Sequence, residues 1–345
     1  MKKTVGLTIG DSNALKGIAL MFLLWHHLFY IQNGKYTDFS IIDGYMIVNQ
    51  LGIACKVCVA LFVFLSGYGL AKKSQTGSLD AYNFYIGRYT KLMLNYWLIW
   101  LLFVPIGIYF WGRTPEVVYH DHIIAKLIVD FLGMSYSFGF YGFNPTWWFM
   151  SCIILLYLFF PFLYKYRRHC LAFIVFSILI VWIPLYVFNP IKYYLTAFVL
   201  GIYCSQSRLF VNVISLDSML AKLMILILCI FLFLVRNFFP YPLLFDSILT
   251  IVIIVTYKVL NSNGFFYKIC CFIGKYSMNI FLFHTFIYYY YFSNIIYCSS
   301  NPVLIFFVLL GVSLLIASII ERIKQFLCFD EISKKIISSL SRRKK

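Results

Sequence analysis

The chain has 345 residues and a formal net charge of +17, yet only 12% of its residues are charged and 62% are hydrophobic. A soluble domain carries about 25% charged residues, so this composition, with a mean hydropathy of +0.86, excludes an ordinary soluble globular protein. Repeated apolar runs of about 20 residues match the thickness of the hydrocarbon core of a bilayer. We therefore expect an all-α, polytopic membrane helix bundle.

The apolar runs predict about ten membrane-spanning helices. In chain order they lie near 14–32, 51–71, 90–111, 146–164, 170–188, 192–205, 219–236, 243–259, 276–296 and 302–320. The first run is long and lacks a small-residue cleavage site, so we expect it to be retained rather than removed as a signal peptide. Segment 122–141 contains Lys126, Asp130 and two glycines, and we interpret it as re-entrant or superficial rather than as an eleventh span.

The positions of the basic residues explain the large net charge. With the amino terminus in the cytoplasm, most of the 29 Lys and Arg residues fall in cytoplasmic segments, as the positive-inside rule predicts. Both termini are then cytoplasmic, the protein is a multi-pass protein of the cytoplasmic membrane, and no nucleic-acid partner is needed. We expect a membrane domain at 1–321 and a basic tail at 322–345.

The tail spaces its apolar residues at a roughly helical period between Lys and Arg residues. This pattern predicts an amphipathic helix that binds the anionic lipids of the inner leaflet. On the other side of the membrane, the loop 112–145 is long and rich in Gly and aromatic residues. Loops of that length between spans are often lids or binding elements.

Most of the ten cysteines lie in or beside apolar spans, where a thiol behaves as a small hydrophobic group. Cys55 and Cys58 have the spacing of a redox or metal pair, but no second pair or neighbouring His completes a site. We therefore predict no metal.

The stretch "LKGIALMFLLWHH" contains ionisable groups that lipid disfavours. Lys16 and His27 are 11 positions apart, which places them on one face of a helix and about 16 Å apart along its axis. Ionisable residues within a span point to a buried pathway or site. His26 lies 100° around the helix from His27 and is the weaker candidate.

Other polar or aromatic residues interrupt later spans. Arg88 and Lys91 lie one turn apart at the cytoplasmic mouth of the third span, where with Lys16 they suit the phosphates of a nucleotide-like donor. The remaining candidates are the Ser66-Gly67-Tyr68 interruption, the Trp147-Trp148 pair at the outer interface, and His284 two turns inside its span.

These elements occur in an order that resembles the acyltransferase-3 family of bacterial integral membrane acyltransferases. The matching pieces are "NALKGIALMFLLWHH", "ALFVFLSGYGL", "GRYTKLMLNYW", "PTWWFMSCIILLYLFFPFL", "TAFVLGIYCS" and "GKYSMNIFLFH". The family pattern of a basic residue followed by a His falls on Lys16 and His27, and its Arg-x-x-Arg falls on Arg88 and Lys91. Lys keeps the charge at two of these three positions but lacks the bidentate fork of Arg. Where the family often has an Asp, this chain has Asn13, with Asp11 close by.

The resemblance implies transfer of an acyl group, most often acetyl from acetyl-CoA, to a hydroxyl of a cell-envelope or exported carbohydrate. Lys16, Arg88 and Lys91 would hold the donor phosphates, His27 would be the general base or an acyl carrier, and His284 would orient a substrate. From the residues themselves we expect Ser66, Gly67 and Tyr68 beside the donor, and Trp147 and Trp148 either in contact with the acceptor or in an aromatic belt at the outer interface. Two alternatives remain open: a transporter or flippase for lipid-linked sugars, and a glycan polymerase.

Overall fold

The computed structural model describes residues 6–40, 46–77, 79–183, 189–239, 242–260 and 264–341. Within these ranges the chain is helical, with a single isolated β-bridge between Ser40 and Met46 and no strand. The prediction of an all-α fold is therefore confirmed. The basic residues at 2–3 and 342–345, and the end of the expected span 170–188, lie outside the described residues.

Eighteen α-helices are described. The first nine are α1 Ile9–Phe29, α2 Ile47–Ala54, α3 Cys58–Ser74, α4 Ala81–Trp111, α5 Pro115–Tyr119, α6 Ile123–Phe131, α7 Trp148–Lys165, α8 Cys170–Leu179 and α9 Asn189–Lys192. The others are α10 Leu195–Cys204, α11 Arg208–Ile214, α12 Met219–Val235, α13 Pro242–Leu260, α14 Phe265–Lys275, α15 Ser277–Thr285, α16 Ser293–Ile296, α17 Pro302–Phe326 and α18 Phe329–Leu340. Short 3₁₀ turns join several of them, and a π-helix at Phe286–Tyr291 follows α15.

Among the described residues, five helical segments are long and apolar enough to cross a bilayer. They are Ile47–Ser74, Ala81–Trp111, Pro145–Lys165, Met219–Phe238 and Pro302–Phe326. Two bent pairs, Leu195–Cys204 with Arg208–Ile214 and Phe265–Lys275 with Ser277–Tyr291, raise the number to seven if each pair is one span. The expected number of ten, and the cytoplasmic placement of both termini, remain predictions.

Helix α1 lies in the interior and packs most extensively against α14 and then against α3 and α2. Two glycines make the first of these contacts possible. A Cβ on Gly17 would overlap the carbonyl oxygen of Cys270, and a Cβ on Gly274 would overlap that of Asn13. Small residues at such positions let two helix backbones approach closely, which is how apolar helices gain packing energy in lipid.

The loop between α4 and α7 is held together by the buried carboxylate of Asp130. Its Oδ2 accepts hydrogen bonds from Tyr119 Oη at 2.9 Å and from the backbone N–H of Phe143 at 3.0 Å. The Tyr96 hydroxyl donates to the backbone oxygen of Asp130 at 2.6 Å and so ties the loop to α4. Burial raises the pKa of Asp130 to about 6, although the hydrogen bonds from Phe143 and Tyr119 act in the opposite direction.

Candidate functional site

Helix α1 carries both Lys16 and His27 without interruption. The helix begins at a capping box in which Thr8 and Asp11 satisfy each other's backbone N–H groups. Asp11 Oδ2 also lies 2.6 Å from Lys258 Nζ of α13, so this carboxylate is occupied in fixing the start of α1. The expected separation of about 16 Å between the levels of Lys16 and His27 follows from the helical rise.

Three histidines form a cluster at the far end of α1 from Lys16. The ring centroids of His27 and His284 lie 5.0 Å apart, as do those of His26 and His27. His284 is fully buried and His26 nearly so, whereas His27 is only partly buried. His27 is therefore the member of this histidine cluster that a small molecule reaches most readily.

Backbone carbonyl groups fix the tautomers of two members of the histidine cluster. The Nδ1 atom of His26 lies 2.8 Å from the oxygen of Gly52, and that of His284 lies 2.9 Å from the oxygen of Phe281. A carbonyl only accepts hydrogen bonds, so each Nδ1 carries a proton and each Nε2 presents a lone pair. His27 forms no hydrogen bond within the described part of the chain, so neither of its ring nitrogens is committed to a described protein partner.

The chain before α7 holds α15, and with it His284, in place. Trp147 Nε1 and Asn144 Nδ2 donate to the backbone oxygen of Leu282, at 2.8 and 3.1 Å. Thr146 Oγ1 lies 3.3 Å from Thr285 Oγ1, which in turn lies 3.4 Å from His284 Nε2.

The two tryptophans of this segment differ in their surroundings. Trp147 is fully buried among protein side chains, and its neighbour Trp148 stacks on Tyr194 with ring centroids 5.5 Å apart. The contact of both tryptophans with the acceptor stays a prediction, and the support from Asn144, Thr146 and Thr285 is a feature that the tertiary structure adds. The "NPT" turn before the tryptophans was the sequence signal for this support.

A cavity of about 660 Å³ opens at the Lys16 end of α1. We call it the basic cavity, because Lys16, Lys72, Lys73 and Arg88 line it together with polar groups of Ser12 and Asn13. No described acidic side chain forms part of its lining. A cavity of this size and charge suits a large anionic ligand.

The three residues of the Ser66-Gly67-Tyr68 interruption do not all face the same surroundings. Ser66 and Tyr68 line the basic cavity, where Ser66 Oγ donates to Tyr157 Oη at 3.1 Å and Tyr68 Oη accepts from the backbone N–H of Leu7 at 2.9 Å. Gly67 instead faces α10, because a Cβ on it would overlap the carbonyl oxygen of Phe198.

Arg88 also borders two smaller cavities next to the basic cavity, and Lys91 borders both of these but not the basic cavity itself. One of about 470 Å³ lies against the loop between α3 and α4, and one of about 400 Å³, the tail cavity, lies between α4, α15, α17 and α18. Lys16 and Arg88 therefore share the basic cavity, while Lys91 adds positive charge to the two smaller cavities beside it.

Three phenylalanines, which we call the phenylalanine partition, line the basic cavity, and one of them also approaches the histidine cluster. They are Phe62, Phe149 and Phe281, and the Phe281 ring centroid lies 4.8 Å from that of Phe149 and 6.3 Å from that of Phe62. The Phe281 ring centroid also lies 6.2 Å from that of His284. The three residues belong to α3, α7 and α15, so no single sequence motif predicts this group.

Among the described residues no group of three or more His, Cys, Asp or Glu side chains is arranged to hold a metal ion. Cys55 and Cys58 are buried and unbridged.

A family model described as an acyltransferase domain matches residues 9–322, nearly the whole chain. The chain belongs to this family and is a membrane acyltransferase. No curated protein and no solved structure matches it. The matched region contains every candidate site residue named above and ends four residues before the end of α17.

Proposed function

We propose that this protein transfers an acyl group, most often acetyl, from cytoplasmic acyl-CoA to a hydroxyl of a cell-envelope or exported carbohydrate. The supporting observation is that one helix, α1, connects a positively charged cavity to a histidine cluster. A transporter or a glycan polymerase would leave the match to an acyltransferase domain unexplained. The protein acts in the cytoplasmic membrane in this proposal, and its basic tail binds anionic lipids there.

The donor would bind with its phosphates at the basic cavity, near Lys16, Arg88 and Lys91, since charge-assisted hydrogen bonds to phosphate are among the stronger polar contacts. Its pantetheine arm would pass Ser66 and Tyr68 toward the phenylalanine partition. The distance of about 16 Å between the levels of Lys16 and His27 is comparable to the reach of that arm. The thioester would then arrive beside His27.

His27 would act as the general base. An imidazole near neutral pH is well suited to accept the proton of a hydroxyl group. As His27 takes this proton, the acceptor oxygen bonds to the thioester carbonyl carbon and the carbon–sulfur bond breaks. The imidazolium then returns the proton to the departing thiolate, so that charge and protons balance. Direct acylation of His27 followed by transfer to the hydroxyl uses the same residue and geometry.

His284 would orient one of the substrates through its Nε2 atom, and His26 would support the position of α1 through Gly52. Aromatic rings surround the other side of the cluster, where Tyr30 and Tyr288 each have a ring centroid 6.2 Å from that of His27. Such amphipathic rings, together with Trp148, suit a carbohydrate that presents both apolar faces and hydroxyl groups.

The test is the O-acyl content of isolated envelope and secreted polysaccharides, measured by proton NMR in cells that produce the wild type, His27→Ala or no protein. His169→Ala, which changes an exposed histidine, is the matched control. We expect acetyl signals with the wild type and His169→Ala only, at equal abundance of each protein in the membrane. Identical spectra for the wild type and His27→Ala would contradict the proposal.

A further inference from the structure

The last helix, α18, packs against α4 beside the basic cavity. It lies beyond the part of the chain that matches the acyltransferase domain. A sharp break separates it from α17, because Cys328 adopts a left-handed backbone conformation with φ of 49°. This conformation is uncommon for a residue other than Gly, and it turns α18 back toward the bundle.

α18 forms one wall of the tail cavity. Phe329, Asp330 and Ser333 line this cavity from α18, opposite Arg88 and Lys91 of α4. One turn further along, Ile337 lines the neighbouring cavity of about 470 Å³, which Arg88 and Lys91 also border. The helix therefore covers the two cationic residues that the proposed function assigns to the donor.

The charges around the tail cavity are incompletely balanced. Glu321 lies 2.9 Å from Lys324 and also accepts a hydrogen bond from Asn279, so this acid is already paired. Arg88 and Lys91 form no ion pair within the described part of the chain, and Lys275 lies on the same cavity. Asp330 is the other acid in the lining, so positive charge predominates.

Ser333 is the buried polar residue that α18 contributes to the lining of the tail cavity. The residue is 6% exposed, and its Oγ atom has no hydrogen-bond partner among the described residues. A buried hydroxyl without a partner costs free energy and calls for an explanation. The hydroxyls of Ser338 and Ser339, on the exposed side of the same helix, each donate to a backbone oxygen of α18.

We propose that α18 completes a phosphate-binding subsite in the tail cavity, where Ser333 Oγ, Arg88 and Lys91 together hold a phosphate group of the donor's nucleotide end. The inference rests on the proposed function, because it takes the donor to be an acyl-CoA. The Ser333 hydroxyl, which has no partner among the described residues, then donates to a phosphate oxygen. Arg88 and Lys91 balance the negative charge of the phosphate group. The tail thus contributes a donor-binding residue from outside the acyltransferase domain.

The experiment measures binding of CoA, and separately of pantetheine, which lacks the nucleotide and its phosphates, to the purified full-length protein in phosphatidylcholine nanodiscs. We expect Ser333→Ala to weaken CoA binding by about tenfold, since a hydrogen bond to a charged group contributes about 1.5 kcal/mol or more, and to leave pantetheine binding unchanged. Ser338→Ala should match the wild type with both ligands.

Equal CoA affinity of Ser333→Ala and the wild type would overturn the subsite while leaving the acyl-CoA donor intact. A wild type that binds neither ligand would overturn the donor and with it this inference. A phosphate group could also come from a lipid, so short-chain phosphatidylglycerol is titrated in the same way. Ser333-dependent binding of that lipid without Ser333-dependent binding of CoA would also overturn the proposal.

Discussion

The imidazole rings of His27 and His284 lie with their centroids 5.0 Å apart, although one belongs to the first helix of the chain and the other to the fifteenth. The pairing is asymmetric. His284 is fully buried and donates from Nδ1 to backbone oxygens, while His27 is partly accessible and has no hydrogen-bond partner within the described residues. This asymmetry fits a reactive His27 beside a positioned His284.

The roles of the two ring nitrogens of His284 can be tested separately, by replacing this residue with Asn or with Gln. Asn at this position offers a donor near Nδ1, whereas Gln offers a polar group near Nε2. We expect His284→Asn to fold normally and to lower the transfer rate by about 10²-fold, because a substrate misplaced by about 1 Å reacts that much more slowly, and His284→Gln to retain more activity. Initial rates of transfer from acyl-CoA compare the two variants, and thermal unfolding serves as the control for correct folding. Greater activity of the Asn variant would assign the functional role to Nδ1.

Arg88 borders all three cavities at the basic end of the bundle. We expect Arg88→Ala to raise KM for acyl-CoA by about tenfold, because a charge-assisted contact to phosphate contributes about 1.5 kcal/mol or more, and to leave KM for the acceptor nearly unchanged. Steady-state kinetics with each substrate varied in turn provide the measurement. Arg168→Ala, at an exposed position, is the control. An equal rise in both KM values would place Arg88 outside the donor site.

Lys16 shares the basic cavity with Arg88. Because both Lys and Arg carry a positive charge, we expect Lys16→Arg to keep KM for acyl-CoA within about twofold, and Lys16→Ala to raise it by about tenfold. The ratio of the two donor KM values, measured at constant ionic strength, tests the role of charge. Similar KM values for the two variants would show that the charge of Lys16 is not used.

Phe281 lines the basic cavity, and its ring centroid lies 6.2 Å from that of His284, beside the proposed position of the thioester. Phe281→Leu removes ring volume while keeping an apolar side chain. We expect kcat/KM for butyryl-CoA to rise relative to that for acetyl-CoA, because space becomes available next to the acyl group. Phe272→Leu, on the exposed face of α14, should leave this ratio unchanged. An unchanged ratio in Phe281→Leu would place the acyl group elsewhere.

Asp130 makes the stability of the loop between α4 and α7 depend on pH. Burial raises its pKa to about 6 from an ordinary value of 3.8. Between these values the native protein keeps a proton that the unfolded chain releases, so this group's contribution to stability falls as pH rises from about 4 to about 6. We expect Asp130→Asn to weaken this pH dependence of Tm, and Glu331→Gln, at an exposed acid of α18, to leave it unchanged. If the Tm of Asp130→Asn depends on pH as steeply as the Tm of the wild type, Asp130 is not the group that causes this dependence.

The sequence predicted the local geometry of the first helix. Lys16 and His27 lie within one helix, so the helical repeat alone placed them on one face at a known separation. The family resemblance, carried by motifs in chain order, is confirmed by the match over residues 9–322. Gly67 shows the limit of such motifs, because whether a small residue faces a ligand or another helix depends on the partner helix.

Composition and periodicity thus determined an all-helical membrane protein whose first helix carries ionisable residues, since these properties depend on residues close together in the chain. Only the tertiary structure decided that His284 meets His27, that Trp147 supports α15 rather than lying open to a substrate, and that α18 folds back on Arg88 and Lys91. Each of these contacts joins helices far apart in the sequence. Such contacts depend on which helix faces pack together, and one sequence read locally does not specify that choice.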